Sequence, residues 1–138
     1  MKPTIINIEA TVNADKSKVW DYYTKPEHMT KWNFADDSWH CPSASNDLKP
    51  GGKYVARMEA KDGSFGFDFG ATYDEVIEQK KIAYTIGDGR KVTVLFESHG
   101  DNTTVKTSFE AEGTNPVDMQ KNGWQAILNN FKKYTEGN

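Results

Sequence analysis

Apolar and polar residues alternate at every second position over most of this chain, and give way to a three- and four-residue spacing at its end. Ile6, Ile8, Ala10 and Val12 alternate with Asn7, Glu9 and Thr11, the pattern of a strand with one buried face. Residues 54–60 read as a second strand. Phe65, Phe67, Phe69, Ala71 and Tyr73 alternate along a third, and Ile82, Tyr84 and Ile86 along a fourth. Val92, Val94 and Phe96 mark a fifth, and Val105, Thr107, Phe109 and Ala111 a last. Turn residues at 49–52, 62–63, 78–81, 88–89 and 100–102 separate them. Asp62-Gly63 reads as a two-residue type I′ turn, and Gly66 and Gly70 as marks of a bulge or bend.

The helical spacing predicts three helices. Asp15 caps a short one over 16–24, with Val19, Trp20 and Tyr23 on one side. Pro26 opens a second that carries Met29 and Trp32. Both are too short to stand alone and must dock on something larger. The third spans 115–134, with Trp124, Ile127, Leu128, Phe131 and Tyr134 on one stripe. Asn115 is its expected cap and Pro116 its first residue, with Asp118 near the positive end of the dipole and Lys132 and Lys133 near the negative end. Residues 33–52 read as loop, with Trp39 in it and at most a short strand near 44–48.

Short connections force successive strands to pair. The economical solution is one curved antiparallel sheet with the long helix across one face, an α+β fold in a single domain over 1–138. Four Trp, seven Phe and six Tyr among 138 residues support a packed core. The net charge of −3 comes from 17 basic and 20 acidic residues, interspersed, so neither nucleic acid nor membrane insertion is expected. Cys41 is the one cysteine, and His28, His40 and His99 have no metal-like spacing, so no metal or cofactor is expected. The first twelve residues lack the apolar run of a leader peptide, and a cytoplasmic setting follows as the simplest expectation.

Four stretches resemble one known family. They are VNADKSKVWDYYTKPEHMTKW from Val12, DLKPGGKYVARMEAKDG from Asp47, FGATYDEVIEQKKIAYT from Phe69 and NGWQAILNNFKKY from Asn122. Their order resembles the helix-grip fold of the START-like superfamily, also called SRPBCC or Bet v-like. The closest likeness is to the branch named after the C-terminal domain of the activator of the ninety-kilodalton heat-shock-protein ATPase. The resemblance implies a cavity between sheet and terminal helix, often used for a hydrophobic small molecule, and it does not imply one chemistry. Trp32-Asn33-Phe34 stands where family members often carry a Trp pair or Trp-Gly-Pro, so the entrance is not carried over.

Trp39, Tyr54, Met58, Phe67, Phe69, Tyr84, Phe96, Met119 and Trp124 are the expected ligand-binding walls, or else plain core. Gly123, which costs about 1 kcal/mol inside a helix, leaves room for a ligand or for close helix–sheet packing. Asp68 falls on the opposite face from Phe67 and Phe69 and is expected in solvent. Three functions stay open. The first is binding of an apolar or amphipathic small molecule, the second a cyclase- or hydrolase-like enzyme in the same cavity. The third is a co-chaperone-like interaction domain with a chaperone partner, for which the sequence shows no obvious apolar patch.

Overall fold

Alternation becomes seven antiparallel strands in one curled sheet. In the computed structural model, which describes residues 4–138, they are β1 (Ile5–Val12), β2 (Trp39–Asn46), β3 (Lys53–Ala60), β4 (Gly66–Ile77), β5 (Lys81–Ile86), β6 (Lys91–His99) and β7 (Asn102–Glu110). Residues 1–3, part of the expected domain and of the leader reading, lie outside the described residues. The order across the sheet is β1-β7-β6-β5-β4-β3-β2. Strands β2 to β7 pair in sequence, while β1 pairs with β7, so the two ends of the sheet are β1 and β2.

Helices α1 (Lys16–Thr24) and α2 (Pro26–Trp32) carry the chain from one edge to the other. The Asp15 side chain accepts from Lys18 N at 2.9 Å, as expected of a cap. Asn46 Nδ2 donates to the Thr24 carbonyl at 2.6 Å and ties β2 to the end of α1. Helix α3 (Val117–Gly137) lies across the inward face, where Leu128 and Phe131 are buried, each burial contributing about 2–3 kcal/mol. This is the expected helix-grip α+β arrangement.

Several local expectations are corrected. The long helix starts at Val117 with Pro116 at its cap position, and the Asn115 side chain does not cap it. Gln120, buried, instead braces the segment that leads into the helix. Its Oε1 accepts from Glu112 N at 2.9 Å, and its Nε2 donates to the Glu112 and Asn115 carbonyls at 3.2 and 2.7 Å. Because the helix runs on to Gly137, Lys132 and Lys133 fall short of its last turn, which holds no basic residue.

Trp39–Asn46 is a full strand rather than loop, with Pro42 inside it and a register shift between His40 and Ser43. An edge strand tolerates both, because proline has no N–H to give a ladder. The β3–β4 connection is longer than a two-residue turn. Gly63 alone takes positive φ, at 78°, and Ser64 N is held by Asp62 Oδ1 at 2.8 Å. The bulge of β4 sits between Tyr73 and Glu75, not at Gly66 or Gly70, which pair regularly with β3. At Gly66 a Cβ would come within 2.7 Å of Arg57 Nη2, so the glycine makes way for that side chain. Phe65 lies just before β4 and is exposed.

At β1, Gln125 Nε2 reaches from α3 to the Glu9 carbonyl at 3.1 Å, and Glu136 accepts from Asn13 N at 2.8 Å.

Candidate functional site

The space between α3 and the sheet is filled at one end and open at the other. At the filled end α1 and α2 insert a wedge of rings. Trp20 and Tyr23 meet Phe96 edge-on at 5.1 and 5.4 Å, and Tyr23 and Trp32 meet Phe131 at 5.2 and 5.0 Å. Towards the first half of α3 a cavity of about 350 Å³ remains, within the range of small-molecule sites.

Trp124 forms its helix-side wall, stacked on Phe109 at 4.0 Å and edge-on to Phe69 at 6.2 Å. Tyr54, Met58, Phe67, Phe69 and Tyr84 line it from β3, β4 and β5. A second hollow of about 360 Å³ lies at its mouth, with Trp39, Met119 and Gly123 in its wall. Met58, Phe67, Arg90, Glu112, Trp124 and Ile127 line both, so the two adjoin at these side chains. A wider groove of about 810 Å³ over β3, β4 and β5 is more open to solvent and encloses less.

Phe96 is a correction. It faces inward, as alternation requires, but lines neither hollow, because α1 covers β6 there and Trp20 and Tyr23 occupy the space in front of it. Gly123 is not a point of close packing, since a Cβ added to it meets nothing within 4 Å. Met119 is 61% exposed, on the rim. The rim also carries an apolar patch that the sequence did not reveal. Trp39, Phe65 and Phe67 form a triangle of rings 6.0 to 6.1 Å apart, with Phe65 60% and Phe67 41% exposed. Phe67 looks into the mouth rather than onto core, which is why an inward position ends half in water.

The polar groups of the cavity escaped sequence reasoning. Asn33, buried, donates from Nδ2 to the Tyr54 hydroxyl at 2.8 Å. The Tyr73 hydroxyl donates to Asn46 Oδ1 at 2.6 Å. Tyr23 and Tyr84 also line the cavity. Burial first, and then the neighbouring phenols, hold Tyr54 and Tyr84 well above the ordinary phenol range; burial does the same for Tyr23 and Tyr73. All four stay neutral near pH 7. Asn33 had one visible signal, a polar residue directly after a helix ending on a Trp.

Arg90 and Glu112 stand where cavity and mouth join. Arg90 Nε donates to Asp88 Oδ2 at 2.8 Å. Asp68 is solvent-facing, as expected, and pairs with Arg57 at 3.5 Å. Cys41 is buried, with its thiol pushed up by burial and directed at the Ser43 carbonyl. His40 sits 3.6 Å from Glu59. Among the described residues, no helix is long and apolar enough to cross a membrane.

A family model described as Activator of Hsp90 ATPase homolog 1-like protein matches residues 13–136. A protein from Cytophaga hutchinsonii, solved in solution, is 53% identical, with 96% of this chain and 92% of that chain covered at a TM-score of 0.83. The AHSA1-like protein from Aeromonas hydrophila, also solved in solution, is 38% identical, with 97% and 93% covered at a TM-score of 0.92. A crystal structure from Nitrosomonas europaea, 16% identical with 96% and 94% covered and a TM-score of 0.83, shares the fold alone. No curated protein matches the chain.

Proposed function

Because the chain belongs to the family of Activator of Hsp90 ATPase homolog 1-like proteins, whose fold carries no single chemistry, we propose that it binds an apolar or amphipathic small molecule in the cavity under α3. The chain would act as one binding domain, without covalent chemistry. The observation that carries this reading is the unfilled volume itself. The rings of Tyr54, Phe69, Tyr84 and Trp124 wall a space of small-molecule size. Such a volume, walled by Phe69 and Trp124, is better explained by an occupant than by imperfect packing.

Naphthalene is a fitting first probe, followed by ¹H–¹⁵N and aromatic NMR shifts. Perturbations should gather at Trp124, Phe69 and Tyr84. Shifts scattered over the surface, or none at saturation, would remove the binding reading.

A second reading has one observation in its favour, the exposed rim of Trp39, Phe65, Phe67 and Met119. A protein partner could rest there, and the family's description makes the Hsp90 ATPase the first to try. The ATPase rate of Hsp90 with and without the chain decides it. A rate unchanged by the chain, or raised equally by a Phe65→Ser, Phe67→Ser variant, speaks against this use of the rim.

A further inference from the structure

The inner cavity carries phenol hydroxyls whose protons no acceptor takes, and the charged side chains that line it, Arg90 and Glu112, stand at its junction with the mouth. Tyr54 and Tyr84 are each more than nine-tenths buried, at 8% and 6% exposure. The Tyr54 oxygen accepts from Asn33, so its own proton is uncommitted. With the Asn33 amide turned over, Tyr54 would donate to Asn33 and leave the amide hydrogens free, so one donor is spare either way. The hydroxyls of Tyr84 and Tyr23 have no hydrogen-bond partner among the described residues. Tyr73 is the contrast, its proton taken by Asn46.

These spare hydroxyls are not sealed in the core. Among the described residues, the one buried side-chain polar atom shut off from space and unpartnered is Thr135 Oγ1, near the other end of α3. Tyr23 and Tyr84 both line the cavity. The rings of Tyr54, Tyr73 and Tyr84 lie 6.1 to 6.3 Å apart. Besides the phenols, the ionisable side chains lining the cavity are Arg90 and Glu112, both at the junction with the mouth. Arg90 is already held by Asp88.

A buried donor without an acceptor is costly, and a ligand oxygen removes that cost. A carboxylate would have to shed its water with no cation at the deep end to receive it. An alkylammonium would have to shed its water with no carboxylate but Glu112, at the junction with the mouth, to receive it. We propose that the occupant is an uncharged, carbonyl-bearing molecule on an apolar frame, its carbonyl oxygen accepting from Tyr84 and its phenol neighbours while the frame lies against Trp124. This assignment rests on the binding reading above and names the ligand class for it.

The test compares isosteres. 2-Acetylnaphthalene and 2-isopropenylnaphthalene differ in having C=O or C=CH₂ at the same place, and 2-naphthoate adds a charge. Dissociation constants come from calorimetry or NMR titration of the full chain. The ketone is expected to bind about tenfold more tightly than the alkene, one hydrogen bond's worth, and the naphthoate more weakly than the ketone. Tyr84→Phe should shrink the ketone-to-alkene ratio towards one and leave alkene affinity unchanged. That variant deletes one oxygen from a cavity wall, and a thermal melt confirms that it folds.

Equal affinity for ketone and alkene would overturn the carbonyl assignment and leave the binding reading standing. So would a tenfold ratio that survives in Tyr84→Phe, Tyr54→Phe and Tyr23→Phe alike. Tighter binding of naphthoate than of the ketone would overturn the uncharged class. Failure of all three probes to shift the cavity resonances would instead remove the binding reading, and the carbonyl assignment with it.

Discussion

One helix lies on one sheet, yet its two halves meet it differently. The second half of α3 sends Phe131 into a wedge made of Tyr23, Trp32 and, behind them, Phe96. The first half sends Trp124 against Phe109 and leaves open space beside it. Sheet and helix supply inward side chains at both ends, so neither creates the difference. Helices α1 and α2 do, because their rings fill one end only. Gly123 adds to the asymmetry by withholding a side chain on the mouth side. A cavity in this architecture is therefore a space the short helices border without filling, rather than a hole carved from a core.

The comparison breaks first at the packed end. Phe131→Ala should destabilise by about 3–5 kcal/mol, and Trp124→Ala distinctly less, as denaturant melts would read. Equal losses would mean the two ends are packed alike. Alkali tests the open end. The Tyr54 and Tyr84 phenols are raised from 10.0 chiefly by burial, so their contribution is complete below pH 10 and is lost as pH climbs through their native values. Each should cost stability at about 1.4 kcal/mol per pH unit in that range. Tyr84→Phe should remove one share of the slope, and an unchanged slope would mean that Tyr84 is not the group titrating.

Asn33→Leu is a smaller perturbation, expected to cost about 1–2 kcal/mol by stranding the Tyr54 hydroxyl. A neutral result would show that the hydroxyl finds water or another partner. Smallest is Gly123→Ala, which should stabilise the chain by about 0.8–1.0 kcal/mol and leave naphthalene affinity as it was. Destabilisation there would reveal contact between helix and sheet where the comparison needs space.

Most of the fold was legible because period-two alternation and turn residues are local signals. The long hairpins, the Asp15 cap and the stripe of α3 all follow from neighbours in sequence. Strand β2 was not legible, since WHCPSASN has no alternation and owes its pairing to β3 alone. The start of α3 was missed because the segment before it is braced by Gln120 from within the helix, a contact that no capping rule encodes. In the site, alternation treats Tyr84 and Phe96 alike, as inward positions on neighbouring strands. Only the docking of α1, a tertiary event, makes one a wall and the other core. The donors Tyr23 and Asn33 come from the short-helix segment, whose approach to β3 and β5 no spacing rule encodes.

The irregularity of β2 has a consequence at the scale of many molecules. A seven-stranded sheet that does not close leaves two flanks where a second copy could add a strand. On the β2 flank, Pro42 removes a donor and the register shift bends the row out of line. On the β1 flank, Gln125 already occupies the Glu9 carbonyl, and Glu136 takes the Asn13 amide just past the strand's end. Neither flank presents an uninterrupted ladder, so end-to-end growth into filaments is obstructed at both sides of the molecule.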